Sequence, residues 1–246
     1  MPIGHPDYSN TTDTTFISGV NDMGELAARL HSPDTYDRSG NVLYMDNFNF
    51  GIASWSSVVS GGGALVTVVT TNTYRGEKAI KLTGGLNGGM YSSIQKPFNP
   101  QFASKLGCEI KVAFPGLIDF FAMELRFRLG DDQYDYGIRI GPNDSKLLIA
   151  LQGAPNPVWT EFVDDITLSS FTMLYHTFKM VVDIENAAYV RFLVDQSEYN
   201  ISEFTPHKYA APSSRHHIVA YLACHSRALN NDVAFIDDFI FTFNEP

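Results

Sequence analysis

From Val42 onward the chain is cut into short runs rich in Val, Ile, Phe, Tyr and Thr by breaks that carry glycine, proline or acid-amide turns: "SGGG", "TGGLNGG", "FPG", "GDDQ", "GPNDS", "GAPNP" and "DQSEYN". Glycine and proline at such density punctuate strands rather than helices. No helical period separates the runs, so the pattern predicts an all-β protein, an antiparallel sandwich or barrel.

Side chains alternate across a strand, so each run can be divided into faces. In "FFAMELRFRL" Phe121, Met123, Leu125, Phe127 and Leu129 share the core face, and Ala122, Glu124, Arg126 and Arg128 face water or a ligand. In "HHIVAYLACH" Ile218, Ala220, Leu222 and Cys224 point inward, opposite His217, Val219, Tyr221, Ala223 and His225. In "YHTFKMVVD" His176, Phe178, Met180 and Val182 alternate with Tyr175, Thr177, Lys179 and Val181. "YVRFLVDQSEYNIS" reads as a strand, a turn at Gln196 and Ser197, and a returning strand.

Residues 1–41 differ in kind. The first 20 or so are polar and aperiodic, which predicts an N-terminal arm ordered by docking. "NDMGELAARLHSP" then predicts one short helix: Asp22 caps it, Glu25 completes a capping box, Leu26 and Leu30 make an apolar pair, and Pro33 ends it. The expected division is an arm over 1–41 and a β-sandwich domain over 42–246. At 246 residues with 44% hydrophobic content, the chain has enough apolar side chain for one large core.

A formal net charge of −10, with 17 Lys and Arg against 27 Asp and Glu and no basic cluster, argues against a nucleic-acid partner. No basic leader precedes an apolar stretch, and no uncharged apolar run approaches the ~20 residues of a membrane span. The compartment is left open. Cys108 and Cys224 are too few for a disulfide framework and are expected to be reduced, structural thiols.

The runs "LYMDNFNFGIASW", "YRGEKAIKLTGG", "MELRFRLGDDQYDYGIRI", "YHTFKMVVDIENAAYVRFLVD" and "AFIDDFIFTF", spanning 42–244, resemble the concanavalin A-like jelly-roll superfamily of lectins, laminin-G-like domains, glucanases and many carbohydrate-binding modules. The resemblance implies that the first and last strands are neighbours. It further implies a structural calcium held by Asp46 and by Asp237 or Asp238, with backbone carbonyls from Tyr74 to Lys78, a ligand chemistry that suits calcium. Asn49 stands where such modules often carry another acid. The alternative is that these aspartates are satisfied by hydrogen bonds at a sheet edge. No other cofactor is required.

The spaced acids that a glycosidase of this fold needs are missing. A retaining or inverting enzyme requires two carboxylates about 5–5.5 or 6.5–9.5 Å apart. The E-x-D-x-E pattern of the glucanases is absent, and Glu124 is followed on its face by Arg126 and Arg128, which are expected to pair with it and hold it ionised. Asp164 and Asp165 are adjacent and point apart if extended. His217 and His225 share a face but lie roughly 26 Å apart at ~3.3 Å per residue, too far for one metal. Among the aromatics Trp55, Tyr134, Tyr136, Trp159 and Tyr221, Trp159 is best presented, because it follows the loop-like "GAPNP".

These readings converge on a non-catalytic module that binds a carbohydrate-like ligand or a protein surface through Glu124, Arg126, Arg128, Arg139, Trp159 and Tyr221. The competing class is a structural or assembly subunit of a larger particle, such as a bacteriophage or secreted complex, that forms a homo-oligomer through its N-terminal arm. A glycoside hydrolase of the same fold is the third reading.

Overall fold

The structure is a computed structural model that describes residues 40–74, 77–99, 104–116, 118–129, 131–142, 145–153, 155–168, 174–211, 217–227 and 232–246. The arm, the helix expected over 22–33, His216 and the side chain of Leu129 lie outside the described residues. Sixteen strands are found among them, and no helix. In chain order they are β1 (Asn41–Asp46), β2 (Ser56–Ser60), β3 (Leu65–Val69), β4 (Ala79–Thr83), β5 (Tyr91–Phe98), β6 (Lys105–Ala113), β7 (Phe120–Leu129) and β8 (Asp132–Gly141). There follow β9 (Lys146–Leu151), β10 (Val158–Val163), β11 (Tyr175–Asp183), β12 (Ala188–Val194), β13 (Ser197–Asn200), β14 (His207–Ala210), β15 (His217–His225) and β16 (Val233–Phe243).

They form two eight-stranded antiparallel sheets. The first runs β13-β12-β11-β6-β16-β4-β3, and β1 also pairs with β16; the second runs β10-β9-β8-β7-β15-β5-β2, and β14 also pairs with β8. The first and last strands are therefore neighbours, as the resemblance implied. Asp46 stands opposite Phe239, and Asn41 opposite Phe243.

The core lies between the two sheets and is built from the faces read in the sequence. Phe121, Met123, Leu125 and Phe127 of β7, Phe178, Met180 and Val182 of β11, and Ile218, Leu222 and Cys224 of β15 are all buried in one cluster. Cys108 and Cys224 are free and buried. Tyr136 is wholly buried on the core face and so is not available to a ligand, while Tyr134 is half-buried and packs against the same cluster. Trp55 closes the core against Phe239, its ring 4.8 Å away and edge-on.

Several positions on outward faces are buried against expectation, Lys179 and Val181 of β11 among them. Parity puts Lys179 on the outer face of the first sheet, and it is on that face, but residues 244–246 fold back across it. Lys179 Nζ lies 2.8 Å from one Glu245 carboxylate oxygen and Arg191 Nη2 lies 2.9 Å from the other, with both Lys179 and Glu245 inaccessible to solvent. Thr242 donates its hydroxyl to the same carboxylate. Gly107 makes room for this cluster: a Cβ there would sit 2.3 Å from Thr242 Oγ1 and 2.5 Å from Glu245 Oε1.

Candidate functional site

The six residues expected to bind a ligand share the outer face of the second sheet, and strand pairing sets their spacing. Tyr221 of β15 is directly opposite Glu124 of β7, which is opposite Gly137 of β8. Trp159 of β10 is opposite Ala150 of β9. Gly137 has no side chain to lift its neighbours, so the row closes over it: a Cβ there would meet Trp159 Cη2 at 2.9 Å, Ala150 Cβ at 3.3 Å and Glu124 Cγ at 3.3 Å. Even alanine would crowd the indole.

The next row is also floored by small residues, with Arg139 opposite Ala122 and Ala122 opposite Ala223. Arg139 lies across that floor. Its guanidinium carbon is 3.8 Å from the Trp159 ring centre and 4.1 Å from that of Phe120. Phe120 stacks on His225 at 4.1 Å, and His225 stacks on Tyr91 at 5.0 Å. The result is a continuous string, Trp159–Arg139–Phe120–His225–Tyr91, whose members are all half-buried. It crosses from β10 to β5, five strand steps, about 24 Å at ~4.8 Å each.

A second group lies beside the string. Arg126 donates from Nε and Nη2 to Glu124 Oε2 at 3.0 and 2.7 Å, and its guanidinium carbon is 4.2 Å from the centre of the Tyr221 ring. Arg128 donates to Gln133 Oε1 at 2.8 Å, and Gln133 donates in turn to Asp135 Oδ1 at 2.7 Å. Only one of the two arginines expected to pair with Glu124 does so. Burial raises the Glu124 pKa despite the opposing charge and hydrogen bonds of Arg126, so the expectation that arginines simply hold it ionised is corrected by its desolvation.

Burial also pushes the Tyr221 phenol up to about 12. The His225 imidazole is pushed down to about 4 by burial, with the Arg139 charge adding to the effect, so it is neutral at pH 7. Phe120, His225, Tyr91, Gln133 and Asp135 were not expected in the site. His217 lies at the opposite end of β15, beside Arg128. Asp164 and Asp165 are exposed just beyond β10, off this face.

The three acids expected to hold calcium behave differently from one another. Asp46 accepts hydrogen bonds from Tyr44 Oη at 2.7 Å, Phe48 N at 2.8 Å, Trp55 Nε1 at 3.0 Å and Ser54 Oγ at 3.2 Å. Three of these donors share Oδ2 and one takes Oδ1, so Oδ1 is the less occupied oxygen and hydrogen bonding alone accounts for much of this carboxylate's environment.

Asp237 and Asp238 are both buried. The pairing of β16 with β6 passes from Asp237 to Phe239, leaving Asp238 as the extra residue of a β-bulge with φ of 47°. The bulge breaks the alternation, so the two aspartates do not face opposite ways as a regular strand would require. Asp237 accepts from the Tyr74 and Asp238 backbone N–H groups, each at 2.9 Å. Among the described residues no three His, Cys, Asp or Glu side chains form a group able to hold a metal. Part of the carbonyl loop expected to complete the site, residues 75 and 76, lies outside the described residues.

No protein-family model matches this chain, and no curated relative matches it in sequence. Solved structures do resemble it. The endo-β-1,4-glucuronan lyase of the fungus Trichoderma reesei superposes with a TM-score of 0.56 at 12% identity, over 83% of this chain and 96% of that one. The cellulose-induced protein Cip1 superposes with a TM-score of 0.52 at 13% identity, over 81% and 96%. At these identities the shared property is the fold, a concanavalin A-like jelly-roll sandwich.

Proposed function

We propose that the outer face of the second sheet binds an extended carbohydrate without cleaving it. The observation that carries this reading is the string from Trp159 to Tyr91. Phe120 and His225 are each covered on both faces by their neighbours in the string, so stacking on sugar rings falls to Trp159 and Tyr91 at its two ends, and the adjoining polar groups of Glu124, Arg126 and Arg128 offer hydrogen bonds to hydroxyls. A polysaccharide-directed protein, the glucuronan lyase, has the same fold, in keeping with the reading. Glu124 is pinned by Arg126, and the reading gives it no hydrolytic role; hydrolysis of any polysaccharide that Glu124→Gln abolishes would overturn that part. Calcium belongs to the proposal as a structural ion held by Asp46 and by Asp237 or Asp238.

The test is titration calorimetry against a panel of soluble polysaccharides, neutral and acidic. Trp159→Ala is expected to weaken binding about fivefold or more, for the loss of about 1 kcal/mol of stacking. Absence of binding across the panel, or a Trp159→Ala variant that binds as well as the parent, would remove the reading.

One observation favours the assembly reading. β2 and β3, consecutive in the chain, are the edge strands of the two sheets, and both show apolar side chains to solvent: Val58, Val59, Leu65 and Val68, with Phe50 nearby in sequence and 92% exposed. Apolar edges of this kind are normally covered. A stable oligomer that Phe50→Asp and Val59→Lys together dissolve would support it; a monomer at all concentrations would not.

A further inference from the structure

We infer that the ligand carries a carboxylate, and that Arg139 is the group that takes it. The inference rests on the carbohydrate reading above and narrows it to an acidic sugar chain. Three arginines lie on this face, and two have polar partners: Arg126 on Glu124 and Arg128 on Gln133. Arg139 is different. Among the described residues no carboxylate, carbonyl or hydroxyl accepts a hydrogen bond from it; its buried Nε has no partner, as is also true of Arg128, but Arg128 still donates from Nη2. Its neighbours are the rings of Trp159 and Phe120, which hold the guanidinium but accept no strong hydrogen bond from it.

An orphaned, partly desolvated guanidinium is an unfavourable resting state, and burial lowers its pKa accordingly. The Glu124 and Asp119 charges oppose the effect of burial on it, but neither supplies the hydrogen bond that its fork lacks. Nor does it sit on an exposed edge where water would satisfy it completely. It sits midway along the string that the sugar chain would follow, held from two sides by rings. A planar fork fixed in that way matches a planar two-oxygen acceptor, and charge-assisted bonds formed at a partly desolvated site are the strong ones. On the Tyr221 side the nearest guanidinium, Arg126, is already taken by Glu124, so Arg139 is the fork left for an acidic group of the ligand.

The experiment compares three polyuronates (polygalacturonate, polyglucuronate and polymannuronate), methyl-esterified polygalacturonate, dextran and dextran sulfate as probes of the intact protein. At least one polyuronate is expected to bind at least about tenfold more tightly than the methyl ester and dextran, as fits the loss of charge-assisted hydrogen bonds. Arg139→Gln is expected to erase that difference while keeping residual binding through Trp159, and Arg139→Lys, which keeps the charge but loses the fork, to restore less than half of the lost factor. Both variants are checked by thermal melting, so that loss of fold is separated from loss of contact. If dextran or the ester binds as well as every polyuronate, the carboxylate is wrong and the carbohydrate reading stands. Preference for dextran sulfate over all polyuronates, or full rescue by lysine, would also overturn it. Failure of all six polymers to bind would remove the carbohydrate reading itself.

Discussion

The Glu245 carboxylate is a buried charge shared by two cations. It lies beneath the returning residues 244–246 with Lys179 at 2.8 Å and Arg191 at 2.9 Å, and takes a hydrogen bond from Thr242. Glu245→Ala leaves two cationic side chains close together with their shared counter-charge removed. Breaking a buried ion pair by deleting one member costs about 3–5 kcal/mol, well above the value of a surface pair. At ~2–4 °C per kcal/mol for a domain of 150–250 residues, the melting temperature is expected to fall by roughly 6–20 °C. Calorimetric melting at neutral pH measures this, with urea titration as an independent reading of stability. The paired control is Lys179→Met with Glu245→Leu, which removes the fully buried cation with its carboxylate and leaves Arg191 to Glu198 and the Pro246 carbonyl, and it is expected to recover part of the loss. A Glu245→Ala protein that melts within about 2 °C of the parent, or a double variant no better than the single one, would refute the argument that desolvation makes this pair costly to break.

Two further outcomes follow from the site geometry. His225 has a folded pKa of about 4 against an ordinary value near 6.5, so between those values the unfolded chain binds the extra proton and stability falls as pH falls. The loss approaches about 3 kcal/mol by pH 4; Glu124, with its raised pKa, acts in the opposite sense, so the measurement is the difference in melting temperature between parent and His225→Gln from pH 7 to 4.5, and parallel curves would reject the assignment. Calcium at a hundredfold excess over its Kd is expected to stabilise by about 2.7 kcal/mol through mass action. Asp238→Asn and Asp46→Asn should each weaken that gain, whereas a melting temperature indifferent to both calcium and chelator would withdraw the ion.

The strand faces were readable because alternation is a local property. Phe121, Phe178 and Ile218 are buried where parity puts them. The same parity misled at Asp237 and Asp238, although the run itself contained the warning: Ile236 and Phe239 are both core residues, three apart, a spacing that no regular strand allows. Glu124 and Arg126 could be paired from sequence because they are two residues apart on one face. Phe120, His225 and Tyr91 could not be joined, since they meet only through the order β7-β15-β5, which brings together residues from distant parts of the chain. Arg139 was legible as a candidate, but its lack of a polar partner was not. Lys179 shows the same limit: its face was clear, but its burial depends on residues 244–246 folding back.

β16 occupies the middle of the first sheet, with β6 on one side and, on the other, β4 along its first half and β1 along its second. During synthesis this strand emerges after all the others. Until then, among the described residues, no strand joins the group β13-β12-β11-β6 to β4-β3, and β1 has no strand to pair with. At ~5–20 residues per second, β1 waits about 10–40 s on the ribosome for the strand that completes it. Over that interval two open sheet edges face each other across a gap one strand wide, and a chain stalled before Val233 would present them to any neighbouring nascent copy, so the last strand acts as the keystone of the assembly.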